Sequence, residues 1–208
     1  MEDDPATVVN LVASAFIMVG TPYMITEVLG LSNQLMGFAE ASLALGGLIG
    51  AVLISIKPAL FPITRAPRFL FGAAFGFLPI AVVMASGAAP MVAYAVLLVS
   101  LTWTMAMCTF FSIVGISFLQ MNTPGDLIGK VIALTMSAAN VALPAGQLIF
   151  GFGFDAIAAP ILATFVLAVM LGVSVFAVRT FKKAFGKGAP AAQTAFAERT
   201  DAEGSAAL

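Results

Sequence analysis

Six stretches of this sequence, at roughly 6–28, 34–56, 68–87, 90–121, 126–153 and 157–180, are each apolar over the length a helix needs to cross a bilayer, about 20 residues. Inside lipid every backbone N–H and C=O must find a partner within the protein, so apolar runs of this length and number fold as spanning α-helices. Composition agrees. Charged residues are 9% of the chain and apolar ones 61%, whereas a soluble domain carries roughly 25% and 45–50%. The fold class expected is therefore all-α and polytopic, with six transmembrane helices in residues 1–185 and the lipid bilayer as their solvent.

The connections carry turn chemistry. Leu29-Gly30-Leu31-Ser32-Asn33 separates the first two spans, with Ser32 or Asn33 as N-cap of the second. Pro58, Pro62 and Pro67 break the chain before the third span, Gly87 and Pro90 frame a tight third connection, and Asn122-Thr123-Pro124-Gly125 precedes the fifth. Gly151, Gly153 and Asp155 are expected to lead out of the fifth span.

The basic residues give these helices a direction. Lys57, Arg65 and Arg68 lie between the second and third spans, Lys130 at the start of the fifth, and Arg179, Lys182, Lys183, Lys187 and Arg199 after the sixth. With six spans all nine fall on one side, and the opposite connections have none. The positive-inside rule places that side, and both termini, in the cytoplasm, giving a multi-pass protein of the cell membrane. Residues 186–208, rich in Ala, Gly and polar side chains without apolar periodicity, read as a disordered cytoplasmic tail. The acidic start, Glu2-Asp3-Asp4, does not match the basic n-region of a secretory signal.

Several function classes are excluded on residue type. The chain has no histidine and one cysteine, Cys108, within an apolar run. A His base, a His-ligated metal, a CxxC redox pair and an internal disulfide are all ruled out. A net charge of −1 does not suit a general nucleic-acid binder. No catalytic set is present, so an enzyme is not expected, nor is any cofactor or metal.

Small residues recur where helices must approach closely, in Gly46-Gly47-Leu48-Ile49-Gly50 and Gly72-Ala73-Ala74-Phe75-Gly76. Pro144 should kink the fifth span by removing a backbone bond. Gln34-Leu35-Met36-Gly37 and Asp126-Leu127-Ile128-Gly129, each polar–Leu–aliphatic–Gly after a turn, open the second and fifth spans. These spans run in opposite directions, as in a 3+3 inverted repeat.

The segment Thr123-Pro124-Gly125-Asp126-Leu127-Ile128-Gly129-Lys130-Val131 resembles the P-x-x-L-x-G-R-V stretch before the eleventh helix of major facilitator superfamily permeases, most nearly those of macrolide-efflux and siderophore-exporter type. Ala142-Leu143-Pro144-Ala145-Gly146-Gln147-Leu148-Ile149-Phe150-Gly151 is similar to that family's P-x-G-x-x-x-x-G, and Leu29–Gly50 to its eighth helix and preceding loop. The resemblance extends to about residue 183. It implies the C-terminal six-helix half of a twelve-helix permease, which moves a small-molecule substrate between two halves. The implied partner is an N-terminal half or a second copy of the chain. The loop from Lys57 to Arg68 keeps basic residues but lacks the family's Asp. The implied function is a proton-coupled exporter component for an apolar or amphipathic substrate; the alternative is a non-transporting membrane scaffold or inactive fragment of a split permease.

Five side chains are candidates for a substrate or proton pathway: Glu40, Asn10, Trp103, Asn140 and Gln147. Glu40 lies about two turns into the second span, where a carboxylate costs roughly 2.5–3.5 kcal/mol at the bilayer centre unless it faces a cavity or partner. A carboxyl taken from water into an apolar surround holds its proton more tightly, which suits proton exchange. The alternative is snorkelling to the outer interface. Asn10, Asn140 and Gln147 could contact substrate or bond neighbouring helices; Trp103 could stack on an apolar substrate. Tyr23, Tyr94 and Glu27 are also explained by the outer interface. Asp126, Gly129 and Lys130 form a candidate cytoplasmic gating segment, with pairing of Asp126 and Lys130 and helix-end electrostatics as the simpler account.

Overall fold

A computed structural model describes residues 8–56 and 65–185, apart from the side chains of Asn10, Phe118, Asn122, Ala139 and 180–185. The loop prolines Pro58 and Pro62, Lys57 and the tail expected at 186–208 lie outside the described residues. Helix α1 covers residues 8–28 without a break: residues 8–9 are in α geometry, Asn10–Ser14 and Met24–Val28 in the wider π geometry, and Ala15–Tyr23 again in α geometry between them. Then follow α2 (Asn33–Ile56), α3 (Ala66–Ala85), α4 (Pro90–Asn122), α5 (Gly125–Ala156) and α6 (Ala159–Phe185). No strand occurs among the described residues. All six helices are long and apolar enough to cross a membrane, and the chain is a multi-pass helical membrane protein.

The expected boundaries fall within a few residues of these. Gly30 and Gly87 make the turns after α1 and α3, with φ of 62° and 64°, a backbone region that glycine enters without a Cβ clash. One expectation is overturned: Gly151 and Gly153 do not lead out of α5, which continues to Ala156, where Ile157 N–H closes the last turn on Gly153 O at 2.8 Å. Glycine's cost in a helix is about 1 kcal/mol; a broken ladder in an apolar phase costs several per group. Pro22, Pro79 and Pro144 lie inside α1, α3 and α5, which continue past them.

Helix α3 is central. It packs extensively against α6 on one side and α4 on the other, and α4 in turn packs against α2. On the far side α1 packs against α5, with lesser contacts from α1 to α6 and α2. Both small-residue stripes face the same partner. A Cβ at Gly46 would meet the Thr102 carbonyl, and one at Gly50 would lie 2.9 Å from Thr109 Cβ. One at Gly72 would lie 2.8 Å from Met107 Sδ, and one at Gly76 would strike the Thr104 hydroxyl. Helix α4 is thus gripped by glycines of α2 and α3. The α1–α5 seam uses Gly146, which lies against the Leu11 carbonyl and the Ala15 methyl.

An aromatic knot joins the two sides. Phe16 of α1 is 5.7 Å from Phe77 of α3 and 5.5 Å from Phe150 of α5, both edge-on, and 5.7 Å from Phe154. Tyr23 stacks on Phe154 at 4.8 Å. Edge-on pairs set the positive ring rim against the negative face of the neighbour.

The burial of α2 repeats in α5. Residues 41–50 and 141–150 have the same succession of buried, half-buried and exposed positions, and the match continues with one departure to 56 and 156. Leu43, Gly46, Leu48 and Ile49 coincide in this register with Leu143, Gly146, Leu148 and Ile149.

Candidate functional site

Glu40 is exposed on α2, seven residues from Asn33, about 10 Å along a helix rising 1.5 Å per residue. The face of α2 against α4 is made by Ala39, Gly46, Gly50 and Ile54, and Glu40 lies about 100° away from it. The stripe around it is small: Gly37, Ala44, Gly47 and Ala51. No hydrogen bond or ion pair to Glu40 is made by the described residues. This carboxylate therefore stands exposed on a face that the described residues do not cover.

Asn140 is exposed on α5 and coincides with Glu40 when the two burial patterns are superposed. Its locus is more polar than the side chain alone suggests. The residue four places on is Pro144, which has no N–H, so the Asn140 carbonyl lacks its usual helical donor. A side-chain amide and an open carbonyl thus sit together midway along α5. Helices α2 and α5 are not a major packing pair, so Glu40 and Asn140 are not brought into one cluster within the chain.

Two other candidates bond neighbouring helices. Trp103, half exposed on α4, donates its indole N–H to the Gly72 carbonyl of α3 at 2.8 Å. Gln147 on α5 directs its amide nitrogen to Met18 Sδ of α1 at 3.4 Å, a weak acceptor. Asn10 opens the first π turn of α1, and its side chain is outside the described residues.

Asp126, Gly129 and Lys130 are all exposed, and no ion pair joins Asp126 to Lys130. Water-exposed i,i+4 pairs contribute only about 0.3–0.5 kcal/mol, little against the rotamer freedom lost. Helix length accounts for their surroundings. Lys130 lies 26 residues from Ala156, about 39 Å along the axis, beyond the roughly 30 Å hydrocarbon core. With Ala156 at one interface, the first turns of α5 would project past the other.

Sequence reasoning missed the setting of four hydroxyls. Tyr94, expected either against an apolar substrate or at the outer interface, is buried and donates its hydroxyl to Leu35 O of α2 at 2.7 Å. Thr102 has Ser42 O of α2 at 3.1 Å and Leu98 O at 2.9 Å within reach of its single hydroxyl proton, which the two carbonyls share. The hydroxyls of Thr21 and Thr104 are buried without a hydrogen-bond partner among the described residues. Period and composition carry no signal for such pairings, because a Thr in an apolar helix looks the same whether its hydroxyl turns back or crosses to a neighbour.

Between α2 and α4 lies a shallow groove of about 510 Å³, lined by Leu45, Ile49, Leu98, Trp103 and Phe110 among others. Its hydroxyl donors are committed, Ser42 to Ala39 O and Thr102 as above, so its surface offers hydrocarbon contact. No group of three or more potential metal ligands occurs among the described residues. No protein-family model, curated protein or solved structure matches this chain.

Proposed function

We propose that this chain is one half of a secondary transporter of the major facilitator type, completed by a second half or a second copy. It exports an apolar or amphipathic small molecule by proton-coupled alternating access, with both termini on the cytoplasmic side of the cell membrane. The observation that carries this reading is the exchange pattern of the packing. Swapping α1, α2 and α3 for α4, α5 and α6 turns the α2–α4 pair into α5–α1 and leaves α3–α6 unchanged. The swapped helices run in opposite directions, as expected of an inverted repeat. The shared burial pattern of α2 and α5 supports the same relation, in a register about two turns from the one in which Gln34–Gly37 matches Asp126–Gly129. The exchange is imperfect, since α3–α4 packing is extensive and its counterpart α6–α1 is slight.

In this reading Glu40 and Asn140 occupy equivalent places on the two repeats, each on a face left uncovered by the described residues. A partner seated there encloses the carboxylate in an apolar pathway, where it exchanges protons as access alternates. The test is efflux of an amphipathic fluorescent dye from proteoliposomes containing the chain alone and with candidate partner halves. Dye movement driven by a proton gradient and abolished by an uncoupler is the expected outcome. Its absence with every partner and with the chain alone sinks the reading.

A second reading, a non-transporting membrane scaffold, draws on the hydrogen bond that ties Trp103 to Gly72. That bond gives the tryptophan a packing role needing no substrate. In that case Glu40→Gln leaves both stability and proton-dependent behaviour unchanged.

A further inference from the structure

The positive charge of this chain is concentrated on one helix pair. Among the described helices, α3 follows Arg65 as its N-cap residue and carries Arg68 in its first turn, α6 ends with Arg179, Lys182 and Lys183, and neither helix contains an acidic residue. The other basic residue, Lys130 of α5, has Asp126 one turn away. Helices α3 and α6 are extensively packed and run in opposite directions, so their basic ends coincide. Ala66 and Pro67 on α3 and Ala177 on α6 are buried at this end, whereas Arg68 and Arg179 are exposed.

Depth makes the arrangement specific. Arg68 is 17 residues from Ala85, and Arg179 is 20 residues from Ala159. At 1.5 Å per residue these distances are about 26 and 30 Å, matching the roughly 30 Å hydrocarbon thickness. With the opposite ends of α3 and α6 at one interface, both guanidiniums lie at the phosphate level of the other. A guanidinium presents forked donors that suit phosphate oxygens, and the positive end of the α3 helix dipole adds to their field. Lys130, on the projecting part of α5, lies beyond that level.

We propose that the basic end of the α3–α6 pair binds the headgroup of an anionic phospholipid in the adjoining leaflet, with Arg68 and Arg179 as its principal phosphate contacts. The proposal rests on the six-helix membrane fold and is independent of whether the chain transports. It differs from a general inside-positive bias in locating the lipid at one seam of the bundle.

The test is lipid retention by the full chain, delipidated in mild detergent, offered equal phosphatidylglycerol and phosphatidylcholine and read by native mass spectrometry. Basic residues near a surface favour anionic lipid by about fivefold each, so two should give phosphatidylglycerol a preference of at least about tenfold. Arg68→Gln/Arg179→Gln should abolish most of that preference, Arg68→Lys/Arg179→Lys should keep part of it, and Lys130→Gln should leave it unchanged. Equal retention of the two lipids by the unaltered chain overturns the proposal, and this arm requires no variant to fold. An undiminished preference in a folded double glutamine variant also overturns it, as does an equal loss in Lys130→Gln, which would mark a diffuse field.

Discussion

Replacing Gly46 by alanine tests the close approach of α2 and α4 through the sign of its effect. In an ordinary helix position the change is stabilising, because glycine is about 0.8–1.0 kcal/mol less favourable than alanine. At Gly46 the new methyl meets the Thr102 carbonyl, part of the backbone of α4, and lies 3.0 Å from Met105 Cβ. Backbone cannot rotate aside, so the helices must part. Overpacking of this kind costs about 1–3 kcal/mol. Separation also weakens the bonds from Tyr94 to Leu35 O and from Thr102 to Ser42 O, which in membrane proteins average about 0.6 kcal/mol each. Subtracting the propensity gain leaves a net loss of about 1–3 kcal/mol. Gly37, on the same helix with nothing within 4 Å of its would-be Cβ, is the internal control, and there alanine should be neutral or stabilising by up to about 1 kcal/mol. Reversible unfolding in mixed micelles measures both. Tyr94→Phe should be less damaging in the Gly46→Ala background than alone, because the bond it removes is already weakened. Equal effects of Gly46→Ala and Gly37→Ala would refute the account of the α2–α4 seam.

Phe16→Ala removes the ring shared by α1, α3 and α5. With lipid as the alternative surround the transfer term largely vanishes, and a cavity term of about 24 cal/mol per Å³ over roughly 100 Å³ gives about 2 kcal/mol. Phe75, which is exposed, should give less than about 0.5 kcal/mol on the same change, and a comparable loss at both positions would contradict the central place of Phe16. Trp103→Phe keeps the apolar body and deletes the bond to Gly72 O, so it should lower stability by about 0.6 kcal/mol; loss of dye flux with unchanged stability would assign Trp103 to the pathway instead. Glu40→Gln in the flux-competent assembly should abolish coupling to the proton gradient while helical content by circular dichroism stays the same, and full retention of coupling would exclude Glu40 as the proton carrier.

The likeness of α2 to α5 illustrates how far the residues speak by themselves. Gln34–Gly37 and Asp126–Gly129 align α2 with α5 in one register, whereas the burial pattern aligns Glu40 with Asn140 in another. Four residues after a turn are constrained mainly by turn chemistry, whereas register along a bundle depends on which side chains face a neighbour. The glycine stripes are similar: their spacing announces close packing, and only the assembled bundle shows that Gly46, Gly50, Gly72 and Gly76 all receive α4. Gly151 and Gly153 mislead as helix enders, because glycine propensity measured in water weighs little against unsatisfied backbone in an apolar phase.

Six apolar stretches, their turns and the one-sided placement of the basic residues are properties of the chain itself, since bilayer thickness and backbone satisfaction act on each segment separately. Hence the number, approximate ends and relative direction of the helices were readable from residues alone. Tertiary structure decided which helix lies at the centre, which hydroxyls and indole cross between helices, and which faces stay open around Glu40 and Asn140. It also brought the basic ends of α3 and α6 together. Those outcomes depend on shape fit between segments distant in sequence, and in lipid, where hydrophobicity no longer distinguishes inside from outside, shape and hydrogen bonding choose the neighbours.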